Sequence, residues 1–66
     1  MLEAEEIVIG KYRVRLIAKN GEVLGAVVNG ARVPRPLYIS RAEKIRAPKL
    51  PLSVKKFLRK QGFMVE

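Results

Sequence analysis

Residues 11–40, KYRVRLIAKNGEVLGAVVNGARVPRPLYIS, restrict the fold most, because they hold two Asn-Gly pairs between β-favouring runs. Asn-Gly is a strong hairpin signal: a type I′ turn needs φ > 0 at both central positions, and these residues tolerate it best. Turns at Asn20-Gly21 and Asn29-Gly30 predict a three-stranded antiparallel meander over about 11–19, 22–28 and 31–39. A two-residue loop at Asn20-Gly21 sets Lys19 against Glu22, an opposite-charge pair that contributes ~0.2–1 kcal/mol. It also sets Ile17 against Leu24, Arg15 against Ala26 and Arg13 against Val28. On the other side Ala18 meets Val23, Leu16 meets Gly25 and Val14 meets Val27.

In the first of these strands Tyr12, Val14, Leu16 and Ala18 alternate with Lys11, Arg13, Arg15 and Lys19, interrupted only by Ile17. Period-2 alternation gives that strand one dry side and one basic side. The stretch 23–28 is apolar on both sides, as expected of a strand between two neighbours. Gly25 marks a close approach or a bend. Pro34 and Pro36 cannot donate to a ladder, so the third strand is an edge, or is broken there.

Before the meander, residues 1–5 are expected to fray. Residues 6–9, EIVI, form a strand that bends at Gly10 and continues, as at a barrel corner. After it, Ser40-Arg41-Ala42-Glu43 fits the S-x-x-E capping box, which predicts a short helical turn near 41–46. The competing reading is a strand through 44–47. Residues 48–52, PKLPL, read as a stiff extended linker. A C-terminal helix over about 54–61 follows, with Ser53 as N-cap. Val54, Phe57, Leu58 and Gln61 form its inner stripe, and Lys55, Lys56, Arg59 and Lys60 point outward. Leu52 and Phe57 stand in the staple relation. Gly62 with Phe63 suits a Schellman end, and the tail from Phe63 returns to the core as a plug or last strand. The expected fold is a single small α+β domain over 1–66, β-rich over 6–39. In it an antiparallel meander curls into a partly open SH3-like barrel, closed off by the C-terminal helix and tail over 53–66.

A domain of 66 residues buries only about 60% of its unfolded surface, so its core is small. With no Cys and no His, neither a disulfide nor zinc can staple it. The same absences remove the usual bases and nucleophiles. The two serines are expected to cap helices, and the carboxylates Glu3, Glu5 and Glu6 form a solvated face. No Gly-rich phosphate loop is spaced for a nucleotide. The expectation is a protein that is not an enzyme and has no cofactor or metal. The wealth of Val, Ile, Leu, Lys, Arg and Glu resembles heat-adapted composition. The longest apolar run, 23–28, is far short of the ~18 residues of a membrane span. A soluble, cytoplasmic protein is expected.

Charge is the strongest functional signal. All 14 Lys and Arg lie between Lys11 and Lys60, opposed there only by Glu22 and Glu43, a local charge of +12 in a chain of +8. A balanced surface would need no partner, but one this lopsided fits a polyanion. The candidate nucleic-acid-binding residues are Lys11, Arg13, Arg15, Arg32, Arg35, Tyr38, Arg41, Lys44, Lys55 and Lys56. Tyr38 is the stacking candidate, while Tyr12 continues the dry stripe. In size, charge and outline the chain resembles small, basic, archaeal-type chromatin proteins with an SH3-like barrel and a C-terminal helix. It lacks the Trp often found on their DNA-facing sheets. The expected function is non-catalytic binding of DNA or RNA through phosphates, with little sequence readout. The alternative is a basic adaptor, or a small subunit of a ribonucleoprotein or replication complex. It would dock an acidic protein or pair as a homodimer.

Overall fold

The computed structural model describes residues 2–66. Four strands, β1 (Leu2–Ile9), β2 (Tyr12–Lys19), β3 (Glu22–Gly30) and β4 (Val33–Ser40), form one antiparallel sheet in the order β1-β2-β3-β4. A two-residue strand β5 (Lys44–Ile45), the helix α1 (Leu52–Lys60) and a two-residue strand β6 (Met64–Val65) complete the chain. β1 and β4 are both free edges, so the meander does not close into a barrel.

Asn20-Gly21 makes the expected turn, with positive φ at both residues (53° and 79°). Lys19 lies opposite Glu22 as predicted, although the two do not form an ion pair. Beyond Ala18–Val23 the register departs from the sequence reading. β3 carries an extra residue at Leu24, so Ile17 pairs with Gly25, Leu16 with Ala26, Arg15 with Val27, Val14 with Val28 and Arg13 with Asn29. This β-bulge turns Ala26, Val28 and Gly30 to the side of Tyr12, Val14 and Leu16.

Asn29-Gly30 is not a turn. Both residues belong to β3, and the two-residue connection is Ala31-Arg32. Gly30 has an ordinary φ but lies under the ring of Tyr12, where a Cβ would sit 2.2 Å from a ring carbon. Val33 therefore pairs with Gly30, and strand four starts later than the predicted residue 31. The N-terminal segment also differs. Residues 2–5 do not fray but pair with β2, Leu2 opposite Lys19 and Glu5 opposite Leu16. At Gly10-Lys11 the chain reverses in a hairpin instead of bending and continuing.

The predicted helical turn near 41–46 is a bend followed by β5. Ser40 Oγ accepts from the Ala42 N–H (3.3 Å), and no capping box forms. The segment has little apolar surface to bury as a helix, whereas pairing parallel with β6 puts Ile45 beside Val65. Residues 48–52 are not an extended linker. The Leu50 N–H donates to the Ala47 carbonyl (3.1 Å), a tight turn that drops Leu50 into the core. The helix starts earlier than predicted. Pro51 caps it through its carbonyl, which accepts from Val54 and Lys55, and Ser53 makes no cap bond. Leu52 is 58% exposed, so the staple with Phe57 is not made. The C-terminal end follows the sequence reading. Gly62 has φ 95°, its N–H donates to Arg59, and the Phe63 N–H donates to Leu58, which is the Schellman pattern.

One core results. Tyr12, Val14, Leu16, Ala26, Val28 and Ile39 from the sheet meet Leu50, Val54, Leu58, Phe63 and Val65 from the C-terminal unit. Phe57 is only half-buried at its margin. Arg59 Nε donates to the Val65 carbonyl (2.9 Å), tying β6 to the helix. Lys44 Nζ lies 2.7 Å from a Glu66 carboxylate oxygen, and Arg46 is 3.6 Å from the other. The hydrogen bond and charge of Lys44 hold the Glu66 carboxyl below its usual value, and Glu66 in turn raises Lys44. A depressed carboxyl contributes stability above its unfolded pKa and loses it as pH falls through the folded one. Raised Lys44 contributes fully below its unfolded pKa and fades as pH rises through the folded one. Thermal melts should therefore show wild type above Glu66→Gln at neutral pH, with the gap closing in acid. A gap unchanged from neutral pH to pH 2 would exclude the ion pair as its source.

Candidate nucleic-acid interface

Because every strand of the sheet alternates, burying one face leaves the other open. The C-terminal unit covers the face bearing Tyr12, Val14 and Leu16. The opposite face is uncovered. Reading across the paired positions, it holds the row Glu6–Arg15–Val27–Tyr38 and, beside it, Val8–Arg13–Asn29. Arg13, Arg15 and Asn29 are exposed, and Val8 is 65% exposed. Among the described residues neither arginine is ion-paired, although Glu6 lies opposite Arg15.

Tyr38 stands on the same face, 59% exposed. Its ring leans along the sheet over Gly25, where a Cβ would come within 2.5 Å of the phenolic oxygen. Gly25 thus serves the close approach that the sequence suggested, but to Tyr38. A hollow of about 420 Å³ adjoins the ring, lined also by Leu24, Ser40 and Arg41. Arg41 closes this corner: its Nη1 donates to the Val23 carbonyl (3.2 Å), and its guanidinium packs on Gly62.

The candidate residues fall into separate groups. Arg13, Arg15 and Tyr38 share the open face, with Arg41 at its margin. Lys11 and Arg32 occupy the two turns at one end of the sheet. Arg35 lies where β4 bulges away from β3. Lys44 is engaged by Glu66. Lys55 and Lys56 ride on the helix that packs against the opposite face, so they do not adjoin Arg13 and Arg15. The sequence reading left out Lys19, which continues the parity of Arg13 and Arg15 and is exposed on the same face. It also left out Val8, Val27 and Asn29. Lys19 was recoverable from period 2 alone, but Asn29 was hidden by its assignment to a turn.

Among the described residues no three potential metal-ligating side chains cluster, and no helix is long and apolar enough to cross a membrane. No family model, curated protein or solved structure matches the chain.

Proposed function

We propose that the protein binds nucleic acid without catalysis, through the open face of the sheet and mainly by phosphate contacts. The observation that carries this reading is an uncovered β-surface that holds Arg13 and Arg15 on β2, without ion pairs among the described residues, and an exposed Tyr38 two strands away on β4. Guanidinium groups suit phosphate oxygens through their fixed fork of donors. A tyrosine ring with an open face offers a sequence-tolerant platform for an unstacked base. Lys11 and Arg32 at one end, and Lys19 and Arg41 at the other, extend the positive field along a bound strand. The same reading takes the meander as the open half of an SH3-like barrel, whose curl would follow a strand.

With about three to five phosphate contacts on a duplex, the log–log salt slope should be roughly −3 to −4.5. Arg13→Ala with Arg15→Ala should flatten it by about two units and weaken all sequences alike. Tyr38→Ala should cost single-stranded binding ~1–3 kcal/mol and affect duplex binding little. Filter binding at several salt concentrations reads all three, and absence of binding at low salt to every DNA and RNA tried would refute the proposal.

A further inference from the structure

A second surface, which shares only Arg32 with the proposed nucleic-acid surface, carries chemistry of its own. Between Val28–Leu37 and Gly30–Val33, one residue of β3 faces three of β4, namely Pro34, Arg35 and Pro36. Neither proline has an N–H to donate, so the ladder cannot close across this stretch. The bulged segment and the 47–50 turn form the walls of an open groove of about 390 Å³. Its floor is apolar, built from Val33, Leu37 and Leu50 between proline rings. Arg32, Arg35 and Lys49 stand on its rim, all exposed and without ion pairs among the described residues. No carboxylate lines it.

We propose that this groove docks an extended acidic segment of a partner protein, seating an apolar side chain over Leu37 and Leu50 with flanking carboxylates on Arg32, Arg35 and Lys49. Charge complementarity selects the acid: three free cations surround a site with no anion, and arginine holds a carboxylate by two parallel hydrogen bonds. The floor selects protein over nucleic acid, since it presents aliphatic and proline carbons and no aromatic side chain on which a base could stack. Its size suits one or two side chains. The edge selects an extended chain. β4 is the last strand of the sheet, so the outer side of residues 37–39 has no strand partner and can pair by strand addition, up to the Ser40 carbonyl, which accepts from the Glu43 N–H. The proline bulge blocks pairing along the rest of that edge, which limits indiscriminate strand addition. The chain's own acidic stretch, with Glu3, Glu5 and Glu6, is already paired to β2.

The test uses the full chain and fluorescein-labelled short peptides in which Glu residues flank a central Leu, Phe or Pro-Leu, each matched by a Gln version. Fluorescence polarisation should show at least one acidic peptide binding in the micromolar range, about tenfold or more tighter than its Gln counterpart. Amide resonances of Val33, Leu37 and Lys49 should shift on titration. Arg35→Glu with Lys49→Glu should weaken that peptide about tenfold or more, with an unchanged thermal melt. Arg13→Ala with Arg15→Ala should leave it unaffected, which keeps this site distinct from the open face. Four results would overturn the proposal. They are no preference for any acidic peptide over its Gln version, loss that follows Arg13 and Arg15 instead, full displacement by an oligonucleotide whose own binding needs Arg35 and Lys49, and self-association that occupies the groove.

Discussion

Leu58→Ala is expected to cost ~2–5 kcal/mol, a large share of the stability available to a domain of this size. Leu58 is fully buried, and its carbonyl also accepts the Phe63 N–H that ends the helix. It sits where α1, the returning tail and the inner face of the sheet meet. The cavity cannot be filled cheaply, because its companions in the core, Val54 and Phe63 among them, are themselves buried. At ~0.05–0.15 kcal/mol per residue, a domain of 66 residues has a total stability of about 3–10 kcal/mol. One such substitution therefore removes much of it. Urea denaturation followed by circular dichroism measures the loss, and Lys56→Ala, on the exposed side, should change it by less than ~0.5 kcal/mol. If Leu58→Ala kept nearly the wild-type midpoint, the packing of the helix on the sheet would be wrong.

Gly30→Val should destabilise by ~1–3 kcal/mol or more, through overpacking. The reason is the Tyr12 ring, which occupies the space a Cβ would need and is itself buried, 8% exposed. Backbone strain is not involved, since Gly30 has no positive φ. The two causes can be separated. Gly30→Ala should be costly in wild type and much less so in a Tyr12→Leu background, a coupling that a double-mutant cycle reads directly. A cost independent of residue 12 would point back to a turn at Asn29-Gly30.

The open face was half legible in the sequence. Arg13 and Arg15 could be placed together because strict alternation in β2 is a local property. Tyr38 could be named as the stacking candidate but not placed, since its neighbours on the face depend on how β4 pairs with β3 after the bulge. Lys55 and Lys56 were grouped with it on charge alone, and charge carries no information about which side of a sheet a helix covers. The groove was not legible, because its two walls are about a dozen residues apart in the chain.

The sequence by itself determined the features that a few neighbouring residues decide. These are the Asn20-Gly21 turn, the dry stripe of β2, and the Gly62–Phe63 ending of the helix, each favoured by φ preference or side-chain period within one turn. Only the tertiary structure decided the register of β3. Without the extra residue at Leu24, Asn29 would face Tyr12 inside the core, where an unpartnered amide costs ~2–7 kcal/mol. The bulge places Asn29 on the open face and slides Gly30 beneath the Tyr12 ring. A favourable turn dipeptide was overruled because burial acts on the whole sheet, whereas turn propensity acts on two residues.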